Sequence, residues 1–210
     1  MDSPLKVISE GGTGEVVEKK SRFIASIFPV HSEEEALEYI SRIRKKYYDA
    51  RHNCFAYVIG EKNETERCSD DGEPSGTAGR PMLDVLTGQG LHDVLVVVTR
   101  YFGGTLLGTG GLVRAYSAAV KEGLAHCRIQ EKIRGCLVTF ETDYNGLGKV
   151  QYIAAGMGLT EQESRYGEKV ELVYVVPMEK VEALEREVTE KTGGRTVIDR
   201  GEETWIYLNI

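Results

Sequence analysis

Five glycines between positions 103 and 111 constrain this chain most, because every ordered glycine costs conformational entropy. Residues 95–98, just before them, are apolar and mostly β-branched, as in a buried strand. After them, apolar residues recur at helical spacing from Leu112, which predicts a helix starting near Gly111. A glycine-rich turn between a strand and a helix presents backbone N–H groups that can bind an anion.

Arg100 and Arg114 flank this glycine loop (residues 103–111) and add two cationic side chains. The loop lacks the Gly-Lys-Ser/Thr of a P-loop and does not match G-x-G-x-x-G. Anion binding and a tight loop shaped only for packing therefore both stay open. A third interpretation is an ion-pair network, in which the two arginines pair with carboxylates of a second loop.

That second loop spans residues 66–81 and has almost no apolar residues. Asp70, Asp71 and Glu73 could bind a divalent cation or act in acid–base chemistry. Their spacing does not follow the register of a calcium loop, so an acidic surface loop is the other interpretation. His52, beside a predicted strand, could act as a base or could simply cap or pack.

The end of the same loop offers a second possible anion site. Ser75, Thr77 and Arg80 precede a helix predicted to begin at Pro81, so hydroxyls, backbone N–H groups and a guanidinium could converge on a phosphate.

Composition excludes several functional classes. The 210 residues carry a net charge of −7, which does not resemble the basic footprint of a general nucleic-acid binder, although a focused basic patch stays open. Residues 1–135 hold 18 basic against 19 acidic side chains, and residues 136–210 hold 8 against 14. The four cysteines form no CxxC pair, no apolar run is long enough for a membrane span, and the N-terminus lacks a signal pattern. We expect a cytoplasmic protein without a metal or cofactor.

The order of predicted elements indicates an α+β protein of two domains. Strands and helices occupy the first part, including a helix that starts at a capping Ser32. Residues 131–135 are interpreted as a linker, and residues 136–210 then follow the order β-α-β-β-α-β of a ferredoxin-like unit. The predicted domains are residues 1–132 and 136–210.

Four blocks of the sequence, at residues 20–25, 50–57, 69–81 and 100–116, resemble the IMPACT family of bacterial YigZ/YvyE-type proteins. The resemblance implies an N-terminal β-α sandwich like that of a ribosomal-protein domain and of GHMP kinases. It also implies a C-terminal ferredoxin-like domain similar to domains of elongation factor G. Eukaryotic relatives act in control of translation initiation and carry an additional partner-binding domain, which we do not expect in this chain. No catalytic role is implied.

Two functional hypotheses follow. The first is a non-enzymatic, translation-associated regulatory protein that contacts RNA, the ribosome or a protein partner. The alternative is an enzyme or nucleotide-binding protein that uses the glycine loop and the carboxylates at 70–73. The same loops could also only build the domain or a homo-oligomer interface. The candidate ligand- or partner-binding residues are His52, Asp70, Asp71, Glu73, Ser75, Thr77, Arg80, Arg100, Gly103, Gly104, Gly110, Gly111 and Arg114.

Overall fold

The structure is a computed structural model that describes the backbone of residues 4–209 and the side chains of residues 4–208. Residues 1–3 and 210, at the outer ends of the two predicted domains, lie outside the described part. The chain has a mixed α+β architecture and separates into two compact units, residues 5–131 and 132–208.

The first unit is built on an antiparallel sheet. Its elements are β1 (Leu5–Glu10), β2 (Thr13–Glu18), β3 (Ser21–Pro29), α1 (Glu33–Lys46), β4 (His52–Ile59), β5 (Thr65–Ser69), α2 (Gly79–Gly88), β6 (Leu91–His92), β7 (Val94–Tyr101) and α3 (Gly108–Leu124). Five strands form the sheet in the order β2-β3-β7-β4-β5, and β1 pairs in parallel with β6. β7 lies at the centre, between β3 and β4.

Alternating residues of β7 explain why this sheet is covered on both faces. Val96 and Val98 are buried in the core that includes residues of α2 and α3, whereas Leu95 and Val97 are buried with residues of α1 on the opposite face. Successive side chains of a strand point to opposite faces, so a continuous apolar run requires cover on both.

The start of α1 confirms the capping prediction. The Ser32 hydroxyl accepts a hydrogen bond from the N–H of Glu35 at 3.2 Å. The Glu35 carboxylate in turn accepts from the N–H of His31 at 2.7 Å. These bonds satisfy donors that a helix N-terminus leaves free.

The second unit continues from β8 (Arg128–Thr142), which begins in the first unit. Its further elements are α4 (Tyr144–Gly156), β9 (Thr160–Tyr166), β10 (Val170–Pro177), α5 (Met178–Thr192), β11 (Val197–Arg200) and β12 (Thr204–Asn209). β10 pairs antiparallel with β8 and β9, while β11 and β12 pair with β8. One sheet face packs on α4 and α5 through residues such as Phe140, Val150 and Leu184. No helix in the described part of the chain is both long and apolar enough to cross a membrane.

Several local predictions need correction. Residues 131–135 are not a linker, because they lie inside β8. Gly135 is buried there, and a Cβ at this position would overlap the side chain of Ile206. Residues 66–69 belong to β5 instead of a loop, and α3 and α2 begin slightly earlier than predicted, at Gly108 and Gly79. Charged residues on strands led to the first two errors, since antiparallel strands tolerate charge on an exposed side.

Candidate functional site

We call residues 70–78 the acidic loop. Its first carboxylate, that of Asp70, lies at the start of α2. Asp70 accepts hydrogen bonds from the N–H groups of Gly76, Ala78 and Gly79 at 2.8, 3.0 and 2.8 Å. Burial alone would raise the pKa of this carboxyl, but the three N–H donors outweigh it and lower the pKa below its usual range. Asp70 therefore acts as the cap of α2, whose N-cap residue Ala78 has no capping side chain.

The second carboxylate ties the acidic loop to α1 and β4. Asp71 accepts from the guanidinium of Arg44 and from the N–H of Asn53, each at 2.7 Å. The backbone carbonyl of Asp71 lies 2.9 Å from Nδ1 of His52. His52, for which a base and a capping or packing role were both open, is thus oriented by the loop backbone.

The third carboxylate forms a sealed ion pair. Glu73 Oε1 accepts from Nη1 of Arg100 at 2.7 Å and from the hydroxyl of Tyr116 at 2.8 Å. The side chains of Glu73 and Arg100 are only 3% and 7% exposed. Of the alternatives for Arg100, the structure therefore contains the ion pair with the acidic loop. The buried Nε of Arg100 has no hydrogen-bond partner among the residues that the structure describes.

Cys54 completes this buried network without offering a nucleophile. Its thiol donates to the carbonyl of Asp70 and lies 3.3 Å from the hydroxyl of Tyr116. Burial raises the pKa of Cys54 to about 12, and burial likewise raises the pKa of Tyr116. The thiol therefore stays protonated at neutral pH, when only a thiolate would be reactive.

The remaining predicted residues of this segment do not converge on an anion site. The Thr77 hydroxyl donates to the carbonyl of Pro74 at 2.7 Å, and Ser75 is exposed. Arg80 is also exposed and forms an ion pair with Asp84 at 2.8 Å. Among the described residues, no three His, Cys, Asp or Glu side chains are grouped as a metal ion would require.

In the glycine loop, one glycine is required by a close approach. A Cβ at Gly103 would overlap the backbone where Lys20 joins Ser21, and the Gly103 N–H donates to the Ser21 hydroxyl at 3.1 Å. Gly104 has a left-handed φ of 86°, whereas Gly110 and Gly111 lie in the first turn of α3.

The hairpin joining β2 and β3 places two lysines at its tip. Glu18 pairs with Ser21, so Lys19 and Lys20 are the two loop residues, with φ values of 46° and 68°. Positive φ at both positions is what a type I′ turn requires, and Asn-Gly adopts it more readily than two lysines do. Backbone strain of this kind is often kept at functional positions.

Four exposed cations around this end of the sheet form what we call the cationic rim: Lys19, Lys20, Arg51 and Arg114. None of them forms an ion pair with any residue that the structure describes. Lys19 and Arg114 line one hollow of about 270 Å³ beside Glu18, and Lys20 contacts Gly103. Arg51 directly precedes β4, whose first residue pairs with Arg100 of β7.

Beside the rim lies an open hollow of about 490 Å³, which we call the aromatic cavity. It is lined by Asp49, Arg51, His52, Arg100, Tyr101, Phe102 and Leu106. Phe102 is 55% and Leu106 is 82% exposed. The Tyr101 hydroxyl donates to Asp49 at 2.7 Å, and this bond raises the pKa of Tyr101 to about 12, so the phenol stays neutral.

The structure thus separates the predicted residues into two groups. Hydrogen bonds within the fold occupy four of them: Asp70, Asp71, Glu73 and Thr77. In contrast, His52 and Arg100 line the aromatic cavity, and Arg114 belongs to the cationic rim. Sequence reasoning missed several lining residues: Asp49, Arg51, Tyr101, Phe102 and Leu106. The available signal was the run of a cation and two aromatic residues at 100–102, directly before the glycine loop.

Comparison with protein-family models divides the chain in a similar place. The model of the Impact N-terminal domain matches residues 19–124. A second model, that of a domain of unknown function (DUF1949), matches residues 140–195.

Related proteins and structures extend along most of the chain. The IMPACT family member YvyE of Bacillus subtilis is 43% identical and covers 95% of this chain and 92% of its own length. The IMPACT family member YigZ of Escherichia coli is 42% identical over 63% of this chain and 66% of the relative. A protein IMPACT homolog of Dictyostelium discoideum is 43% identical over 44% of this chain and 28% of the relative. A crystal structure described as that of a hypothetical protein has a TM-score of 0.61 and 32% identity, and covers 100% of this chain and 98% of that chain.

Proposed function

Because this chain belongs to the IMPACT family, we propose that it is a non-enzymatic, translation-associated cytoplasmic protein that binds ribosomal RNA through its first unit. The observation that carries the proposal is the cationic rim. Protein–RNA affinity depends on lysine and arginine contacts to phosphates, and those contacts need cations that are not already neutralised.

The cationic rim also explains how a chain with a negative net charge could bind RNA. The chain as a whole carries −7, yet Lys19, Lys20, Arg51 and Arg114 meet at one end of one unit without ion-pair partners among the described residues. Local potential, more than net charge, determines where a polyanion binds. The strained lysine pair at the hairpin tip supports the same interpretation, because a more stable turn sequence would lack both charges.

We further infer the two fold types that the family resemblance implies. A ribosomal-protein/GHMP-kinase-like sandwich is consistent with the antiparallel sheet between α1 and the α2–α3 layer. A ferredoxin-like, elongation factor G-like second domain is consistent with the order β-α-β-β-α-β and with β8 lying between β10 and β11. Kinship with ribosome-binding factors is the reason for choosing the ribosome as partner.

The enzymatic alternative has less support. It needs free carboxylates near the glycine loop, but Asp70, Asp71 and Glu73 each accept at least two hydrogen bonds within the fold. A thermal-shift screen with nucleotides and Mg²⁺ separates the two ideas, because a ligand at 100 times its Kd adds about 2.7 kcal/mol of stability. A specific, saturable shift would favour the alternative.

Binding to purified ribosomes and to labelled ribosomal RNA fragments at several salt concentrations tests the proposal. We expect Lys20→Glu and Arg114→Glu to weaken binding to all RNA sequences alike. Each should also lower the slope of log affinity against log salt by about 1. Arg186→Glu, an exposed cation of α5, is the matched control and should leave both quantities unchanged. Equal binding by wild type and both rim variants would refute the proposal.

A further inference from the structure

We propose that the aromatic cavity holds an unpaired nucleobase of the bound RNA, stacked against Phe102, while the cationic rim holds the flanking phosphates. This inference rests on the proposed RNA-binding function and specifies its substrate as single-stranded or looped-out RNA.

The cavity is close to neutral, so a phosphate is not its best occupant. Glu73 neutralises Arg100, and the lining contains one further carboxylate, that of Asp49, and one further cation, Arg51. Tyr101 stays protonated through its hydrogen bond to Asp49. A phosphate placed here would lie beside a carboxylate, which is unfavourable. A neutral group with hydrogen-bonding edges is a better match for these walls.

The apolar walls indicate a flat occupant. Phe102 and Leu106 are 55% and 82% exposed at the mouth of the cavity. The Arg100 guanidinium carbon lies 5.7 Å from the centre of the Phe102 ring and is held there by Glu73. A half-exposed aromatic ring in the lining of a cavity can provide a stacking surface, and every base can stack on it. Duplex RNA keeps its bases paired and stacked, so only an unpaired base can enter.

The surrounding cations define the path of the strand. Arg51 lines the cavity itself, and the backbone of the exposed Lys20 lies against Gly103, one residue beyond Phe102. Lys19 and Arg114 continue the charge along the neighbouring hollow. A base in the cavity therefore places its flanking phosphates beside the lysine and arginine side chains of the cationic rim, as in other single-strand binding grooves.

Fluorescence anisotropy of the full chain with three labelled RNAs tests the inference. The probes are a single strand of about 12 nucleotides, the same strand with abasic residues at every position, and the intact strand annealed to its complement. We expect wild type to bind the intact strand at least about tenfold more tightly than the abasic strand and the duplex. Phe102→Ala should lower affinity for the intact strand to the abasic level and leave abasic binding unchanged, whereas Phe102→Trp should retain the preference.

Tyr152→Ala, which removes an aromatic residue of α4 that is even more exposed than Phe102, is the control and should change none of the three affinities. Equal wild-type affinity for the intact and abasic strands would overturn the inference even if Phe102→Ala failed to fold. An equal loss of both affinities in Phe102→Ala would also overturn it. If wild type binds all three RNAs with the same affinity and Lys20→Glu loses that binding, the base-stacking site is refuted and the proposed function is kept. No RNA binding at all would refute both.

Discussion

The acidic loop and the aromatic cavity lie on two sides of Arg100 and use similar residue types for opposite purposes. On one side, Arg100 pairs with Glu73 out of solvent, and every carboxylate of the loop accepts hydrogen bonds from the fold. On the other side, Phe102, Leu106 and Arg51 remain available to solvent. The exposure of the side chains, and not the presence of charge, therefore distinguishes the proposed binding surface from the network that stabilises the fold.

The strongest test of this comparison is the removal of the buried carboxylate. Glu73→Ala should lower the free energy of unfolding by about 3–5 kcal/mol, because Arg100 is left buried without a counterion. Urea unfolding followed by circular dichroism would measure the loss. Trp205, the single tryptophan and a residue of the second unit, provides a separate fluorescence reference. Glu73→Gln, which keeps an acceptor for Tyr116, should cost less. A loss below 1 kcal/mol for the alanine variant would mean that the network is not structural.

The opposite sign is expected at the tip of the β2–β3 hairpin. Replacing Lys19 by Asn and Lys20 by Gly should raise the free energy of unfolding by about 1–2 kcal/mol, since both residues have positive φ. The same double variant should bind RNA more weakly, with a smaller salt dependence. Lys19→Arg is a control that keeps the charge and the strain. If the double variant is more stable but binds RNA as wild type does, the hairpin tip is not part of the RNA-binding surface.

Asp70→Ala tests whether the acidic loop acts as a helix cap. We expect a loss of about 1 kcal/mol, the usual value for a removed cap. The folded-state pKa of Asp70 is lowered, so its stabilisation is fully present above its unfolded pKa, near 4, and disappears as pH falls through the folded value. The difference between wild type and variant should therefore be constant near pH 6 and shrink as the pH falls below about 4. A difference that grows on acidification would contradict the assigned sign.

The smallest effect is expected for an exposed ion pair close to the same loop. Arg80 and Asp84 lie 2.8 Å apart with side chains that are 68% and 54% exposed. Asp84→Ala should change the free energy of unfolding by no more than about 0.5 kcal/mol, since water screens such pairs. The measurement is the same urea titration, run beside Glu73→Ala. Comparable losses in the two variants would show that burial is not the deciding difference.

Local patterns predicted much of this molecule. The Ser32 cap, the centre of β7 and the order of elements after residue 136 each depend on neighbours within a few positions, which a sequence displays directly. An ion pair between Arg100 and the acidic loop was also within reach as one of several alternatives. The aromatic cavity was not, because it combines the start of β4 with the end of β7, and their pairing is long-range. Side-chain exposure at Phe102 and Leu106 depends on that pairing and not on their own neighbours.

The overlap that a Cβ at Gly103 would create has a mechanical consequence. The lysine tip and the segment carrying Phe102 touch through their backbones, with Gly103 hydrogen-bonded to Ser21, so neither can shift independently. In the proposed RNA-binding function, such a surface would meet its partner already in shape and would lose little freedom on contact. It would select molecules whose contour fits and would adapt poorly to those whose contour does not.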